Sequence, residues 1–296
     1  MSLITRLVKS YAQKENDAIM KSIEIYRERL PLDVTIVRGL SCESPDGPCH
    51  MTVYHPTVHE KLPIVINIHG GGMVCGVMEQ NDLLCAKMAR EGYLVVAIDY
   101  PLMPEADVFR MYRVLAYGIN YVGALACEYN GDLDKVYWTG DSAGGYLITN
   151  LAGLRADSKM REIYGVPEIK TPISALGIIS GMLYTNKKDP LGMVLPKMMF
   201  GKGYKRKDFY KYTNLERPEF IDSLPPVYMV SSADDMLKEH TLSFHKALVE
   251  REHEVKLRFF DKDKRLVHAF VALYPDYPES ELAYREMLEF FEESLL

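Results

Sequence analysis

Five short, almost uninterrupted apolar runs recur along the chain: IVINI (64–68), YLVVAI (93–98), KVYWT (135–139), ISALGII (173–179) and VYMVS (227–231). EVKLRFF (254–260) is a further candidate of the same kind. A strand with one face in water alternates apolar and polar residues, whereas a run apolar throughout needs cover on both faces. The intervening stretches have the length and composition of helices. Residues 79–91 carry Leu83, Leu84, Ala86, Met88 and Ala89, and residues 106–128 and 143–155 are mostly good helix formers. Residues 236–252 and 279–295 are amphipathic, the last with Leu282, Tyr284, Met287, Leu288 and Phe291 on spaced positions. Buried strands alternating with helices predict an α/β fold around a mostly parallel sheet flanked by helices. Ahead of it, residues 33–39 and 50–55 alternate like strands around the turn SPDGP. Residues near 5–30 read as a helix, with Leu7, Tyr11, Ile19, Ile23 and Tyr26 at helical spacing.

The 296 residues are expected to form a single domain. One segment breaks the rhythm: residues 182–224 are rich in Met and Lys and punctuated by Pro190, Pro196, Gly201, Gly203 and Pro218. An insertion of that length between core strands is read as cap material above the strand ends, together with the helix near residues 1–30. The formal net charge is −6, a poor match to a dedicated nucleic-acid binder. No run of about 18 uncharged apolar residues predicts a membrane span. MSLITRLVKSYAQKEND is charged throughout and is not read as a secretory signal. The five cysteines (Cys42, Cys49, Cys75, Cys85 and Cys127) show no CxxC spacing, so structural zinc is not expected and a reducing cytoplasm fits best. Cys42 and Cys49 flank SPDGP, where a hairpin would set them opposite each other; in that compartment they are read as free thiols.

Gly140-Asp141-Ser142-Ala143-Gly144 follows the run VYWT and precedes the helical stretch YLITNLAGL. GxSxG between a strand and a helix has a mechanical meaning. The turn is so tight that side chains two before and two after the serine would collide, so glycine fills both places and the hydroxyl stands exposed at the apex. The helix behind it offers free N–H groups and a partial positive charge to a developing anion. A second signal, His69-Gly70-Gly71-Gly72, comes directly after IVINI. Successive glycines leave N–H groups uncovered and able to donate to an oxyanion. The GK[ST] ending of a phosphate-binding loop is missing.

A serine nucleophile needs a base and an acid, which follow it in this fold class as acid, then histidine. Four histidines lie late enough. His240 and His245 fall on the helical stretch 236–252, and His253 precedes its strand. His268 alone follows the final strand by a short loop, DKDKRLV, at the end of the sheet where active residues gather. For the acid, Asp234 and Asp235 both follow VYMVS.

These motifs together resemble the hormone-sensitive lipase-like family of α/β-hydrolase esterases. His69–Gly72 matches its HGGG, Asp99 to Glu105 (DYPLMPE) its DYRLAPE, Gly140–Gly145 its GDSAGG, Asp235 to Glu239 (DMLKE) its DPLRDE, and His268-Ala269-Phe270 its HGF. The resemblance covers roughly residues 60–296 and implies an α/β-hydrolase fold with a helical cap. It implies Ser142 as nucleophile, Asp235 as acid and His268 as base, with the N–H groups of Gly71, Gly72 and Ala143 as oxyanion hole. Pro101, Met236 and Ala269 stand where the family usually has Arg, Pro and Gly, and none removes a reacting group.

The expected chemistry is ester hydrolysis through an acyl-serine, on small short-acyl carboxylic esters, without metal or organic cofactor. The rate should fall as pH drops and His268 becomes charged. A peptidase or an acyltransferase on the same fold is the alternative. A non-catalytic ligand-binding relative is disfavoured by the presence of His268. Met73, beside the glycines, and Asp141, beside the serine, are candidate substrate contacts. Met182, Met193, Met198 and Met199 could line an adaptable pocket, or be ordinary cap core. Between Lys197 and Lys211, six cations and one acid (Asp208) could attract acidic substrates, though a solvated face is the plainer reading. Cys75 reads as a small buried hydrophobe. The last strand, at an open edge, could pair across a homodimer, but no residue demands it.

Overall fold

Alternate residues of each apolar run face opposite layers. Ile64, Ile66 and Ile68 of β3 (Leu62–Ile68), Val96 and Ile98 of β4 (Leu94–Ile98), Trp138 of β5 (Gly131–Asp141) and Ile178 of β6 (Ala175–Ile179) point into one buried cluster. Val65, Val95, Tyr137 and Ile179 point into a second. That is the period of two of a strand, here with both faces dry. The computed structural model describes residues 3–57, 60–185 and 190–295.

Eight strands form one sheet in the order β1-β2-β4-β3-β5-β6-β7-β8, with β1 (Val34–Cys42), β2 (Cys49–Pro56), β7 (Val227–Ser232) and β8 (Val255–Phe260) completing the set. β2 runs antiparallel to both its neighbours, and β4, β3 and β5 to β8 are mutually parallel. The sheet is therefore mostly parallel, as the apolar runs require.

The helices, in chain order, are α1 (Leu3–Arg27), α2 (Asp82–Arg90), α3 (Val108–Glu128), α4 (Ala143–Ala156), α5 (Ser158–Tyr164), α6 (Pro190–Phe200), α7 (Pro218–Ile221), α8 (Lys238–Glu250), α9 (Phe270–Leu273) and α10 (Pro278–Glu293). α3 and α4 bury their apolar residues in the first cluster, α2, α9 and α10 in the second. α10 comes especially close: a Cβ on Gly177 would sit 3.0 Å from Phe291, which stacks on Tyr137 at 4.6 Å between ring centroids. Two short helices, α5 and α9, escape the periodicity because a stretch of 7 or 4 residues is too short to show one. The expected helix at 79–91 divides into a 3-10 turn at Met78–Asn81 followed by α2.

Strand order reverses beside β3: β4, next in sequence, lies on one side of it and β5 on the other. In open α/β sheets the crevice at such a point, outside the carboxyl ends of the strands, is where ligands bind. Cys42 and Cys49 face each other across the β1–β2 hairpin as free thiols. No described helix is long and apolar enough to cross a membrane.

The segment 182–224 carries α6, two 3-10 turns (Tyr204–Arg206 and Asp208–Thr213) and α7. Aromatic rings clamp it to the body: Phe209 packs edge-on to Phe109 of α3 at 4.8 Å, and Tyr212 edge-on to Tyr164 of α5 at 6.1 Å. Lys197, Lys202, Lys205, Arg206, Lys207 and Lys211 are all exposed, so the cationic run is a solvated face. At the other end of the chain, α1 reaches the glycine loop through Asn16, whose Oδ1 accepts from the Gly76 N–H at 2.8 Å.

Candidate active site

β5 runs straight into the serine turn, and the turn is held from three sides. Ser142 has φ +49°, a left-handed backbone that a non-glycine residue adopts at a cost of order 1–3 kcal/mol. A Cβ on Gly140 would lie 2.6 Å from the Gly144 carbonyl carbon, and one on Gly144 would drive into the carbonyl of Ile68, 2.7 Å from its carbon. The glycines two before and two after the serine are thus required by the turn, as expected. Gly144 is also what lets α4 press against the end of β3. The Ser142 N–H donates to the Ile179 carbonyl at 2.9 Å, tying the turn to β6.

His268 Nε2 lies 2.8 Å from Ser142 Oγ, and His268 Nδ1 lies 2.7 Å from Asp235 Oδ1. The three side chains, 126 and 33 residues apart along the chain, form one continuous hydrogen-bonded line. Of the two candidate acids, Asp235 is the one that meets the imidazole. Its Oδ1 also accepts from the Leu237 N–H at 2.8 Å, and its Oδ2 from the Ser231 hydroxyl at 2.7 Å. Burial works to raise its pKa, but the His268 hydrogen bond and charge, the Ser180 hydroxyl and the Leu237 N–H together hold it below the ordinary carboxylate value. The loop carrying His268 is pinned by the Ser232 hydroxyl, which donates to the Leu266 carbonyl. His240 and His245 lie on α8, and His253 Nε2 meets the Pro225 carbonyl at 3.0 Å.

The glycine loop is wired to the serine turn from below. The Gly70 N–H donates to Asp141 Oδ1 at 3.0 Å, and Asn81 Nδ2 donates to the same oxygen at 2.8 Å. Burial pushes Asp141 up, against the pull of Asn81, His69, His268 and the Gly70 N–H. Each ring nitrogen of His69 faces an acceptor: Nδ1 the Gly70 carbonyl at 2.7 Å, Nε2 the Asp99 carboxylate at 2.9 Å. Tyr100 stacks on that ring, and its hydroxyl donates to the His69 carbonyl at 3.0 Å. Against its burial, the His69 hydrogen bond and charge hold Asp99 below its ordinary value. The N–H groups of Gly71, Gly72 and Ala143 take no acceptor among the described residues. They remain open to a ligand.

Several expected substrate contacts belong to the framework instead. Asp141 is buried and spends its carboxylate on Gly70 and Asn81, so it anchors the loop rather than facing a substrate. Met73 is fully buried in the core beneath the loop. Met182 and Met199 are buried in the same cluster and Met198 packs against it, which makes them cap core. The side chain of Met193 lies outside the described residues. Cys75 donates to the Gly71 carbonyl at 3.2 Å, and burial pushes its thiol up to about 11, which disfavours the reactive thiolate. Four polar residues around the site went unread: Asn81, Ser180, Ser231 and Ser232. Each has an ordinary local sequence; the three serines gain their role from a strand end and Asn81 from the turn leading into α2, and for the serines the strand ends were the available signal.

A family model described as alpha/beta hydrolase fold matches residues 65–272 of the chain. The chain is 27% identical over 248 residues to the versiconal hemiacetal acetate esterase of Dothistroma septosporum, covering 77% of this chain and 72% of that protein. It is 25% identical over 248 residues to an arylesterase of Saccharolobus solfataricus, covering 80% and 77%. Among solved structures, esterase B from Lactobacillus rhamnosis (HN001) superposes with a TM-score of 0.87 at 20% identity, over 99% of this chain and 97% of that one. The chain belongs to the α/β-hydrolase family, in the hormone-sensitive lipase-like group of serine esterases.

Proposed function

We propose that the protein is a carboxylesterase that hydrolyses small, short-acyl carboxylic esters through an acyl-serine intermediate. The observation that carries this reading is the hydrogen-bonded line from Ser142 Oγ through His268 to Asp235, with steps of 2.8 and 2.7 Å. In this reading Ser142 attacks the ester carbonyl while His268 takes its proton. Asp235 fixes the imidazole with Nδ1–H toward the carboxylate, leaving Nε2 as the base, and stabilises the imidazolium that forms. The three uncommitted N–H groups of Gly71, Gly72 and Ala143 hold the tetrahedral oxyanion, each worth on the order of 10²–10³ in rate. His268 then returns the proton to the leaving alcohol, and water, activated by the same imidazole, releases the acid.

The preference for small esters draws support from how little of the site is open. Ser142 is 7% exposed and the His268 side chain 18%. Two relatives are named a versiconal hemiacetal acetate esterase and an arylesterase, which agrees with the reading of an esterase. The test is a chromogenic ester series from acetyl upward, with Ser142→Ala as control and an organophosphate to label the serine. Turnover and labelling should vanish together in the variant, while its melting temperature holds. Unchanged turnover in Ser142→Ala would sink the proposal.

A further inference from the structure

β6 lies between the strand that delivers Ser142 and the strand that delivers Asp235. The residue leaving β6 is Ser180, and topology alone puts it beneath the His268–Asp235 pair. It is stitched in on the β7 side, its N–H donating to the Val230 carbonyl at 2.8 Å. It is buried, 1% exposed. Its φ is +49°, the same left-handed backbone as Ser142, and Ala269, the residue after His268, has φ +58°. Glycine is the ordinary occupant of such a conformation. A serine there carries backbone strain and brings one thing glycine lacks, a hydroxyl.

That hydroxyl serves the loop that carries the base. It accepts from the Ala269 N–H at 3.1 Å, and it is among the influences that hold Asp235 below the ordinary carboxylate value. One oxygen thus ties the end of β6 to the backbone that carries the base.

We infer that Ser180 is a positioning residue that holds the backbone carrying His268 in place, and so keeps its imidazole in line between Asp235 and Ser142 Oγ. The inference rests on the reading of these three side chains as an esterase triad. Without the hydroxyl, Asp235 keeps Ser231 and the Leu237 N–H, so the acid stays in its pocket. The Ala269 N–H loses its acceptor, and the loop that presents His268 loses a tether.

Two variants test this. Ser180→Gly removes the hydroxyl while suiting the left-handed backbone, and Ser180→Ala removes it while keeping the strain. Each is assayed with active sites counted by organophosphate burst. In both, kcat should fall by about 10- to 100-fold, the scale expected of a small misalignment of reacting groups. KM should stay within about twofold, because Ser180 does not reach the substrate. A merely structural role would show as active sites lost from the burst count, whereas a misaimed imidazole lowers turnover per active site. Ser180→Gly should melt at or near the parent temperature. A Ser180→Gly enzyme with kcat per active site within twofold of the parent, or one that loses only its melting temperature and its active-site count, would overturn the inference. Turnover surviving in Ser142→Ala would instead overturn the esterase reading beneath it, so the two failures are told apart.

Discussion

The rim formed by the strand ends and the inserted segment 182–224, expected from the sequence to be a cap, are held by different forces. At the rim nearly every polar group is committed: Asp235 to His268, Ser231 and Leu237, Asp141 to Gly70 and Asn81, His69 to Asp99 and its own loop. Three non-glycine residues there, Ser142, Ser180 and Ala269, are in left-handed conformations. The cap is held instead by rings, with Phe200, Phe209 and Tyr212 against Phe109 and Tyr164. Directional bonds fix atoms to fractions of an ångström, whereas ring packing tolerates a shift. A site that must align a hydroxyl, an imidazole and a carboxylate needs the first kind of order. A cover that must admit and release a substrate can be built from the second.

If that division is right, damage to the rim should strike kcat and damage to the cap should strike KM. The largest effect belongs to Asp235→Asn, which leaves the shape but removes the charge and lets the imidazole take the wrong tautomer. Steady-state kinetics should show kcat down by about 10⁴-fold. Asp234→Asn, one residue away and out of the line, should stay within about twofold, and equal losses in the two would erase the assignment. Next comes Gly144→Ala. Its new Cβ would press on the Ile68 carbonyl at the joint between elbow and glycine loop. Backbone has to move, so the variant should lose more than about 3 kcal/mol in a urea titration and most of its turnover. A Gly144→Ala protein of parental stability would show the joint to be looser than described.

The same contrast governs what could be read from the sequence. The rim was legible because its geometry forces residue identities: Gly140 and Gly144 are glycine because of a collision, and His268 was found because only one histidine follows the last strand closely. The strands were legible because alternate residues of IVINI and YLVVAI each need a dry layer, and such runs cannot be placed otherwise. The acid was less so, since Asp234 and Asp235 stand side by side and spacing does not choose between them. Asp141 was misjudged as a substrate contact because a carboxylate beside a nucleophile suggests solvent, whereas a long-range partner, Gly70, buries it. Ser180 was invisible, because a positive φ in a serine leaves no mark on the local sequence. The cap was legible only as an interruption. Its methionines fit core and pocket equally well by composition, and the burial of Met182 and Met199 comes from a core cluster whose other members are far off in the chain.

On the cap, Phe209→Ala removes the edge-on contact with Phe109 and the packing on Tyr164. Phe209 is half-buried, so the cost should be about 1–3 kcal/mol, below that of a fully buried phenylalanine. KM for short-chain esters should rise by severalfold with kcat within about twofold. A kcat that fell as far as KM rose would mean the cap, too, aligns the reacting groups.

Acid gives the smallest effect on stability and the finest test of the division. Asp235 and Asp99 are held below the ordinary carboxylate value of 3.8 in the folded protein. Their ionised forms therefore favour folding fully above that value, and this contribution is lost as pH falls through the lower folded values. Asp141, raised by burial, works the other way: it gains stability as it takes up a proton on the way down to 3.8. The urea midpoint should therefore hold or rise slightly down to about pH 4 and fall only below it. Turnover should follow its own curve, because an imidazole base can accept the serine proton only while it is neutral. The gap between the two curves measures how far the rim's chemistry is separate from the rim's cohesion. Activity and midpoint falling together would mean that the imidazole holds the rim in place as well as acting on it.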